Sequence, residues 1–330
     1  MLVYIKPLSL FPKLHSDTIF GAIISAISEL YPENIEEILS KFKVEYHQDN
    51  SLNDEPPFLI SSAFPYLFND NEKIRFFPKI ISSSKSSTSK NFDESSNILD
   101  NRKKFKKIEF FEEELFLELA SGNLNEENII LNLDDYYISG NLLSKNPINI
   151  DGRCKESLVP NNSINRITCE SEAIFYTEGN EFKNMGLFFL VEFKNEKYLE
   201  ILKSAIRFLK DRGFGSNISV GKGHFDFEFD DEYCLIPNSL ENGEYFTTLS
   251  RFIPNNNDLI NIDETSSYEL DSKRGKSREG ELRKQVKFFK EGSVFPKFSN
   301  FYGKMIDSGL NYPAIEYGFA FPVKFNCQEE

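Results

Sequence analysis

Apolar residues recur at helical spacing in two segments of the chain. The first runs from Asp17 to Leu30, where the apolar positions are Ile19, Phe20, Ile23, Ile24, Ile27 and Leu30. The second runs from Lys197 to Lys210 and carries Leu199, Leu202, Ile206 and Leu209 on one face. This spacing predicts two amphipathic helices, and Ser16 or Asp17 can cap the first.

Strand patterns stand next to both helices. The segment LVYIK precedes the first helix, GLFFLVEF precedes the second, and Phe225, Phe227 and Phe229 alternate with acidic residues after it. Strand, helix and strand in this order predict an α+β protein built from two ferredoxin-like (RRM-like) βαββαβ domains. We place the domains at residues 1–180 and 181–330, with later strands of the second sheet at 245–251 and 315–325.

Composition supports a folded protein of this size. The chain has 330 residues, 40% of them hydrophobic, with 33 Phe and 14 Tyr, which is typical of globular proteins and suggests more than one core. No stretch of about 18 uncharged apolar residues occurs, so we expect neither a membrane span nor a signal peptide. A cytoplasmic location is therefore expected.

Cysteines and histidines are scattered along the chain. They are Cys154, Cys169, Cys234, Cys327, His15, His47 and His224, and no CxxC pair occurs among them. Structural zinc sites cluster their ligands at short spacings, so we expect neither a metal site nor any other cofactor.

Charge is distributed unevenly. The net charge is −14, which taken alone argues against nucleic-acid binding, because phosphates need local positive potential. Two basic stretches nevertheless occur: residues 82–107 carry seven Lys and Arg, and residues 273–290 carry eight. The Ser-rich stretch 82–96 predicts a mobile basic insertion near 82–108 in the first domain, and 105–120 follows at helical spacing.

A glycine-rich loop, GFGSNISVGKGHF at Gly213 to Phe225, separates the second helix from the strand after it. Glycines let backbone N–H groups approach a phosphate or nucleotide closely. The loop fails as a P-loop, since five residues separate Gly215 from Gly221 and Gly223 follows Lys222. It also fails as a dinucleotide fingerprint, because no helix follows it. An ordinary glycine-rich turn is the alternative on spacing alone.

A glycine-rich loop after the last helix of a ferredoxin-like domain resembles the RAMP superfamily of CRISPR RNA-binding proteins. Further motifs occur in the order of one RAMP family, the Cas5-like fourth subunits of type III-A CRISPR Csm effector complexes. These motifs are LHSDTIFGAI at 14–23, FPYLF at 64–68, NRIT at 165–168, TTLSRFIP at 247–254, SKRGKSREG at 272–280 and EGSVF at 291–295. The likeness covers nearly the whole chain.

The resemblance implies a non-catalytic scaffold of antiviral defence that cradles the 5′ handle of a guide RNA. Its implied partners are that RNA, the large polymerase-like Csm subunit and a backbone Csm subunit. The RNA-binding residues carried over are His15, Ser16, Asp17, Gly213, Phe214, Gly215, Ser216, Asn217, Gly221, Lys222, Gly223 and Arg251. The basic insertion at 82–107 stands where the family has its hairpin or thumb. The sequence Ser216-Asn217-Ile218 stands where the family more often has a Gly-Lys-Arg type of sequence. This difference favours backbone contacts over side-chain contacts with phosphate at those positions.

Two other functions remain open. A related RAMP family processes guide RNA with a histidine near the first helix, so His15 could serve a metal-independent endoribonuclease. The net charge of −14 also allows a purely protein-binding adaptor, against which the two basic stretches argue.

Overall fold

The computed structural model describes residues 1–42, 55–69, 72–81, 92–148, 153–215, 218–235, 243–275, 281–310 and 314–326. The helices are α1 (Ser16–Leu30), α2 (Ile35–Lys41), α3 (Phe92–Phe105), α4 (Glu113–Ser121), α5 (Glu126–Leu131), α6 (Leu199–Arg212) and α7 (Asn256–Asn261). The strands are β1 (Leu2–Pro7), β2 (Phe58–Ile60), β3 (Phe64–Asn69), β4 (Glu72–Pro78), β5 (Phe110–Glu112), β6 (Tyr137–Ser139), β7 (Leu142–Ser144), β8 (Arg153–Ile164), β9 (Ser171–Lys183), β10 (Met185–Phe193), β11 (Phe225–Asp230), β12 (Tyr245–Thr248), β13 (Leu270–Lys273), β14 (Val286–Phe289), β15 (Val294–Pro296), β16 (Ile306–Asp307), β17 (Ile315–Glu316) and β18 (Pro322–Phe325).

A large mixed sheet forms the centre of the molecule. Its strands follow the order β11, β1, β10, β3, β4, β5, β7 and β6. The short strand β2 also pairs with β10, at the end of β10 that includes Val191 and Phe193. All pairs in it are antiparallel except β5 with β7. The central strand β10 is buried over most of its length, as the apolar run GLFFLVEF requires.

Helices α1 and α6 pack against each other beside this sheet. Each presents the apolar face that its periodicity predicts: Ile19, Phe20, Ile23 and Ile27 are buried on α1, and Leu202, Ile206 and Leu209 on α6. Burying such faces is what stabilises amphipathic helices in a protein. None of the helices in the described residues is long and apolar enough to cross a membrane.

The C-terminal part is built from smaller sheets. Strands β15, β12 and β18 form one, while β13 pairs with β14 and β16 with β17. Aromatic side chains fill a separate core there, with Phe246 stacked on Tyr302 at 3.9 Å between ring centroids. Other residues of this part, such as Tyr317 and Phe319, join the main core beside Phe20 and Phe42.

Strand pairing crosses the division expected at 180/181. Strand β10 hydrogen-bonds to β1 on one side and to β3 on the other, and β11 pairs with the free edge of β1. Residues from both sides of the expected boundary therefore share one sheet. The glycine-rich loop, which joins α6 to β11, belongs to this sheet and not to a second one.

The region around the first basic stretch also differs from expectation. Residues 92–105 form α3, and the single helix expected over 105–120 is instead the end of α3, strand β5 and helix α4. Phe111 explains the difference, because it is fully buried in β5 opposite Phe77. Residues 82–91 of the expected mobile insertion lie outside the described residues.

Candidate nucleic-acid interface

The glycine-rich loop folds back on itself and onto the N-terminal segment. Helix α6 ends at Gly213, whose φ of 92° is in the left-handed region. The N–H of Phe214 donates to Gly223 O at 2.9 Å, and the N–H of Gly223 donates to Leu10 O at 2.9 Å. A Cβ on Gly223 would lie 1.9 Å from Phe214 O, so only glycine fits this closure.

The ring of Phe214 lies inside the protein. It packs against Phe11 and Phe225 at 5.8 and 5.0 Å between centroids. The structure thus gives this ring a packing role, and an RNA contact at Phe214 stays a prediction. Gly215 and Gly221 also have positive φ, and a Cβ at either would meet no atom closer than 3.6 Å, so backbone at these two positions is accessible. Ser216 and Asn217 lie outside the described residues.

Lys222 connects the loop to a long hairpin formed by β8 and β9. Its Nζ donates to Thr177 Oγ1 on β9. The base of the hairpin is fixed to the N-terminal segment, since Phe11 and Asn180 exchange backbone hydrogen bonds of 2.9 and 2.7 Å. Lys13 adds an exposed ion pair with Glu156 at 2.6 Å.

This hairpin was missed from the sequence, although its apolar side chains are a signal. In the register of β8 and β9, one face carries exposed Leu158, Ile164, Ile174 and Tyr176. The run Ile174-Phe175-Tyr176 is rich in residues that favour strands. The hairpin at 153–183 is the longest pair of strands in the described residues.

His15 stands at the N-cap of α1 and is bonded to a buried carboxylate. Its Nδ1 lies 3.0 Å from Glu291 Oε1, and Ser62 Oγ donates to the same oxygen at 2.5 Å. Burial raises the pKa of the Glu291 carboxyl, but His15 and Ser62 outweigh this effect and leave that pKa below its ordinary value. Ser62 in turn accepts the N–H of Ser16 at 3.0 Å.

Asp17 and Arg251 form an ion pair behind His15. Arg251 Nη1 lies 3.3 Å from Asp17 Oδ2, and Lys273 Nζ contacts the same oxygen. Burial raises the pKa of Asp17, yet Lys273 and Arg251 hold it below its ordinary value. The Arg251 N–H also donates to Ser16 Oγ at 3.1 Å. The buried carboxylate of Asp17 therefore binds Arg251 and Lys273. His15 is the more exposed member of this group.

Three of the six cations that the structure describes in the second basic stretch are paired with carboxylates of the same chain. Lys273 and Arg283 bind Glu316 at 2.5 and 3.1 Å, and Lys290 binds Glu269 at 2.7 Å. Lys284 and Lys287 remain exposed. Much of this positive charge holds β13 and β14 against the start of α1 and the strand β17.

The carried-over residues thus form two groups joined by one short segment. Leu8 to Phe11 contacts the glycine-rich loop and the hairpin base, and His15 to Asp17 contacts Arg251, Lys273 and Glu291. The arrangement offers backbone N–H groups, Lys222 and His15 to a polyanion. No group of three metal-ligating side chains lies together within the described ranges.

The sequence of the chain is similar to those of known proteins. Residues 241–325 match the family of the CRISPR Csm4 C-terminal domain. The chain is 26% identical over 321 residues to the CRISPR system Cms protein Csm4 of Thermococcus onnurineus, covering 95% of this chain and 92% of that protein. It is 27% identical over 195 residues to the protein of the same name from Methanocaldococcus jannaschii, covering 49% of this chain and 52% of that protein.

Solved structures share the fold over the full length. A crystal structure of a Csm3-Csm4 subcomplex in the type III-A CRISPR-Cas interference complex superposes with a TM-score of 0.66 at 21% identity, covering 99% of both chains. A Csm1-Csm4 cassette with AMPPNP gives a TM-score of 0.56 at 22% identity, covering 100% of this chain and 98% of that one. Together these matches confirm the resemblance found in the sequence motifs: the chain is similar over nearly its whole length to a Csm4 protein, and its residues 241–325 match the family of the CRISPR Csm4 C-terminal domain.

Proposed function

We propose that the chain is a non-catalytic, RNA-binding scaffold subunit of a type III-A CRISPR interference complex in the cytoplasm. In this role it cradles the 5′ handle of the guide RNA and bridges the large polymerase-like subunit to the backbone subunits. The observation that carries the proposal is the closure of the glycine-rich loop onto the segment that leads into α1, with Lys222 and the β8–β9 hairpin beside it. Backbone donors and one lysine suit a sugar-phosphate strand.

The partner assignment draws on the structural relatives. One relative is described in a Csm3-Csm4 subcomplex and another in a Csm1-Csm4 cassette, and the chain covers nearly the full length of both. We infer equivalent contacts with a backbone subunit and the large subunit here. The acidic surplus of the chain, −14 overall, would then face these proteins while the loop faces RNA.

We also infer that the first ferredoxin-like module extends to β11. The strand order β11, β1, β10, β3, with α1 and α6 packed together, supports a βαββαβ arrangement completed by residues 185–230. We accordingly place the boundary of the first module after Asp230. A second ferredoxin-like module in the C-terminal part, which the family match at 241–325 treats as a unit, remains a prediction.

The nuclease alternative is less well supported than the scaffold. His15 is held by Glu291, and the described residues beside it are Ser62, Ser16 and Asp17, with no second imidazole or tyrosine hydroxyl bonded to it. A general acid-base pair needs two groups that reach the reacting atoms. A purely protein-binding adaptor would leave the glycine-rich loop and Lys222 without a ligand.

The test is co-purification of the tagged chain from cells that also express the other Csm subunits and a CRISPR array. We expect guide RNA in the complex, with its 5′ handle crosslinked to 213–223. Lys222→Gln should weaken that crosslink, whereas Lys297→Gln, on an exposed lysine of the C-terminal part, should not.

Three outcomes would contradict the scaffold proposal. A complex without RNA would favour the adaptor, and handle crosslinks confined to other subunits would remove the cradling role. Cleavage of repeat RNA that is lost in His15→Ala would favour the nuclease.

A further inference from the structure

Five cationic side chains stand at the end of α3, separate from the site described above. This α3 lysine cluster consists of Arg102, Lys103, Lys104, Lys106 and Lys107. Its backbone is hydrogen-bonded, with the N–H of Lys106 donating to Arg102 O at 2.9 Å and that of Lys107 to Lys104 O at 3.0 Å. Phe105 and Ile108 are buried at 3% and 2% exposure, so they fix the cluster to the core.

Within the described residues, the cluster forms one ion pair, and that pair is exposed. Lys103 pairs with Asp100 at 3.0 Å, but both side chains are mostly exposed, at 77% and 65%, so the pair is weak. Among the residues that the structure describes, Lys104, Lys106 and Lys107 make no ion pair, and all three are exposed. The second basic stretch differs, because three of its six described cations are bound to carboxylates of the same chain.

A cleft between α3 and the segment after α5 adjoins the cluster. Its volume is about 550 Å³, and three lysines outnumber two aspartates in its lining, which consists of Asn97, Asp100, Asn101, Lys103, Lys104, Lys107, Leu131 and Asp134. Asn101 ties the two walls together by donating from Nδ2 to Ile130 O at 3.0 Å. Charged and amide groups therefore surround a pre-formed open groove, which suits a hydrated polyanion and not an apolar ligand.

We propose that the α3 lysine cluster binds the sugar-phosphate backbone of single-stranded RNA, as a contact separate from the glycine-rich loop. This inference rests on the proposed function of the chain as an RNA-binding subunit. Lysine is a frequent phosphate ligand in nucleic-acid complexes, whereas it is depleted in the cores of protein–protein interfaces, where aromatic anchors dominate. The groove presents one apolar side chain, Leu131, which favours RNA over an acidic protein.

A structural role explains only part of the cluster. Cations in the last turn of a helix stabilise the negative end of its dipole, and Arg102, Lys103 and Lys104 occupy that turn. Lys106 and Lys107 lie beyond the helix and are directed to solvent. Within the described residues, no carboxylate of the chain pairs with either of these lysines.

The test compares two double variants that change the net charge equally. Lys104→Gln with Lys107→Gln removes two charges from the groove, while Lys41→Gln with Lys297→Gln removes two exposed lysines from elsewhere on the chain. The affinity of each full-length chain for a fluorescently labelled, guide-length single-stranded RNA is measured by anisotropy across a series of salt concentrations. Lys222→Gln is measured alongside.

We expect the groove variant to bind more weakly and with a shallower salt dependence. The slope of log K against log salt should fall by about 1.4 in magnitude, since each lost single-strand phosphate contact removes about 0.7. Lys104→Arg with Lys107→Arg should restore the wild-type slope because the charge returns. The Lys41/Lys297 control should keep that slope, and thermal unfolding should show that every variant is folded at the assay temperature.

The remaining outcomes separate this inference from the proposed function. If the groove variant keeps the wild-type slope while Lys222→Gln weakens binding, the lysine cluster is not an RNA contact, and the scaffold role stands. If the wild-type chain and its assembled complex both fail to bind RNA, the proposed function fails and this inference with it. If the groove variant binds RNA normally but loses a protein subunit on co-purification, the groove is a protein site and the inference is wrong.

Discussion

Replacing Asp17 with alanine should test how the start of α1 is held to the C-terminal part. The carboxylate of Asp17 is 2% exposed and contacts both Arg251 and Lys273. Removing one partner of a buried ion pair costs about 3–5 kcal/mol, because the remaining charge is left buried and unpaired. Arg251 and Lys273 are 15% and 27% exposed, and Lys273 keeps Glu316, so the lower end of that range applies.

We therefore expect Asp17→Ala to lower the free energy of unfolding by about 3 kcal/mol at pH 7. Urea unfolding of the RNA-free chain, followed by circular dichroism, measures this change. Glu37→Ala removes the carboxylate of an exposed pair with Lys197 and should leave the unfolding curve in place.

The same substitution predicts a pH dependence. The pKa of Asp17 is lower in the folded protein than its ordinary value of 3.8. Its contribution to stability is therefore fully present above about pH 3.8 and is lost as the pH falls through the lower, folded value. The unfolding curves of Asp17→Ala and the wild type should converge in acid. Equal stability of the two proteins at pH 7, or a difference that persists unchanged at pH 2, would refute the reasoning.

Three further predictions concern other parts of the fold. Gly223→Ala should destabilise the chain by more than about 2 kcal/mol, because its Cβ would lie 1.9 Å from Phe214 O. Gly221→Ala has open space for its Cβ and should cost only the strain of a positive φ, about 1 kcal/mol. Thermal unfolding of both variants measures these changes. Burial raises the pKa of Asp258 to about 6, so its contribution to stability should increase as the pH falls from 7 to 5, and Asp258→Asn should abolish that increase in urea titrations. The carboxylate of Glu113 accepts hydrogen bonds from Arg75 Nε and the hydroxyl of Tyr233. Glu113→Ala leaves both donors without this acceptor and should lower the free energy of unfolding by about 2–3 kcal/mol, measured by urea unfolding. An unchanged midpoint would contradict this reasoning.

Local patterns predicted the elements that bury one face. Helices α1 and α6 and strands β10 and β11 were expected close to their observed bounds, because helical and alternating spacing follow directly from which side chains enter the core. The hairpin of β8 and β9 was missed because it does not bury one face in the core. Most of its side chains are exposed on both faces, so burial imposed no alternation on its sequence.

Features that depend on distant pairing could not be read from short segments. The pairing of β1 with β10 and β11 decides which sheet holds the glycine-rich loop, and no local pattern encodes it. The contact of Asp17 with Arg251, 234 positions later, was not predicted, although both residues stand in family motifs. Sequence reasoning also could not show that carboxylates of the chain neutralise half of the described cations of the second basic stretch, whereas the α3 lysine cluster forms one exposed ion pair.

The position of β1 has a consequence for how the chain is made. The amino group of Met1 donates to Val191 O at 3.1 Å, 190 positions further on, and the other edge of β1 pairs with β11, which is later still. At a synthesis rate of roughly 5–20 residues per second, the first strand waits about 10–40 s on the ribosome before either neighbour exists. A nascent chain arrested near residue 180 should therefore bind chaperones through its exposed N-terminal strand, and release of residues 181–235 should end that binding.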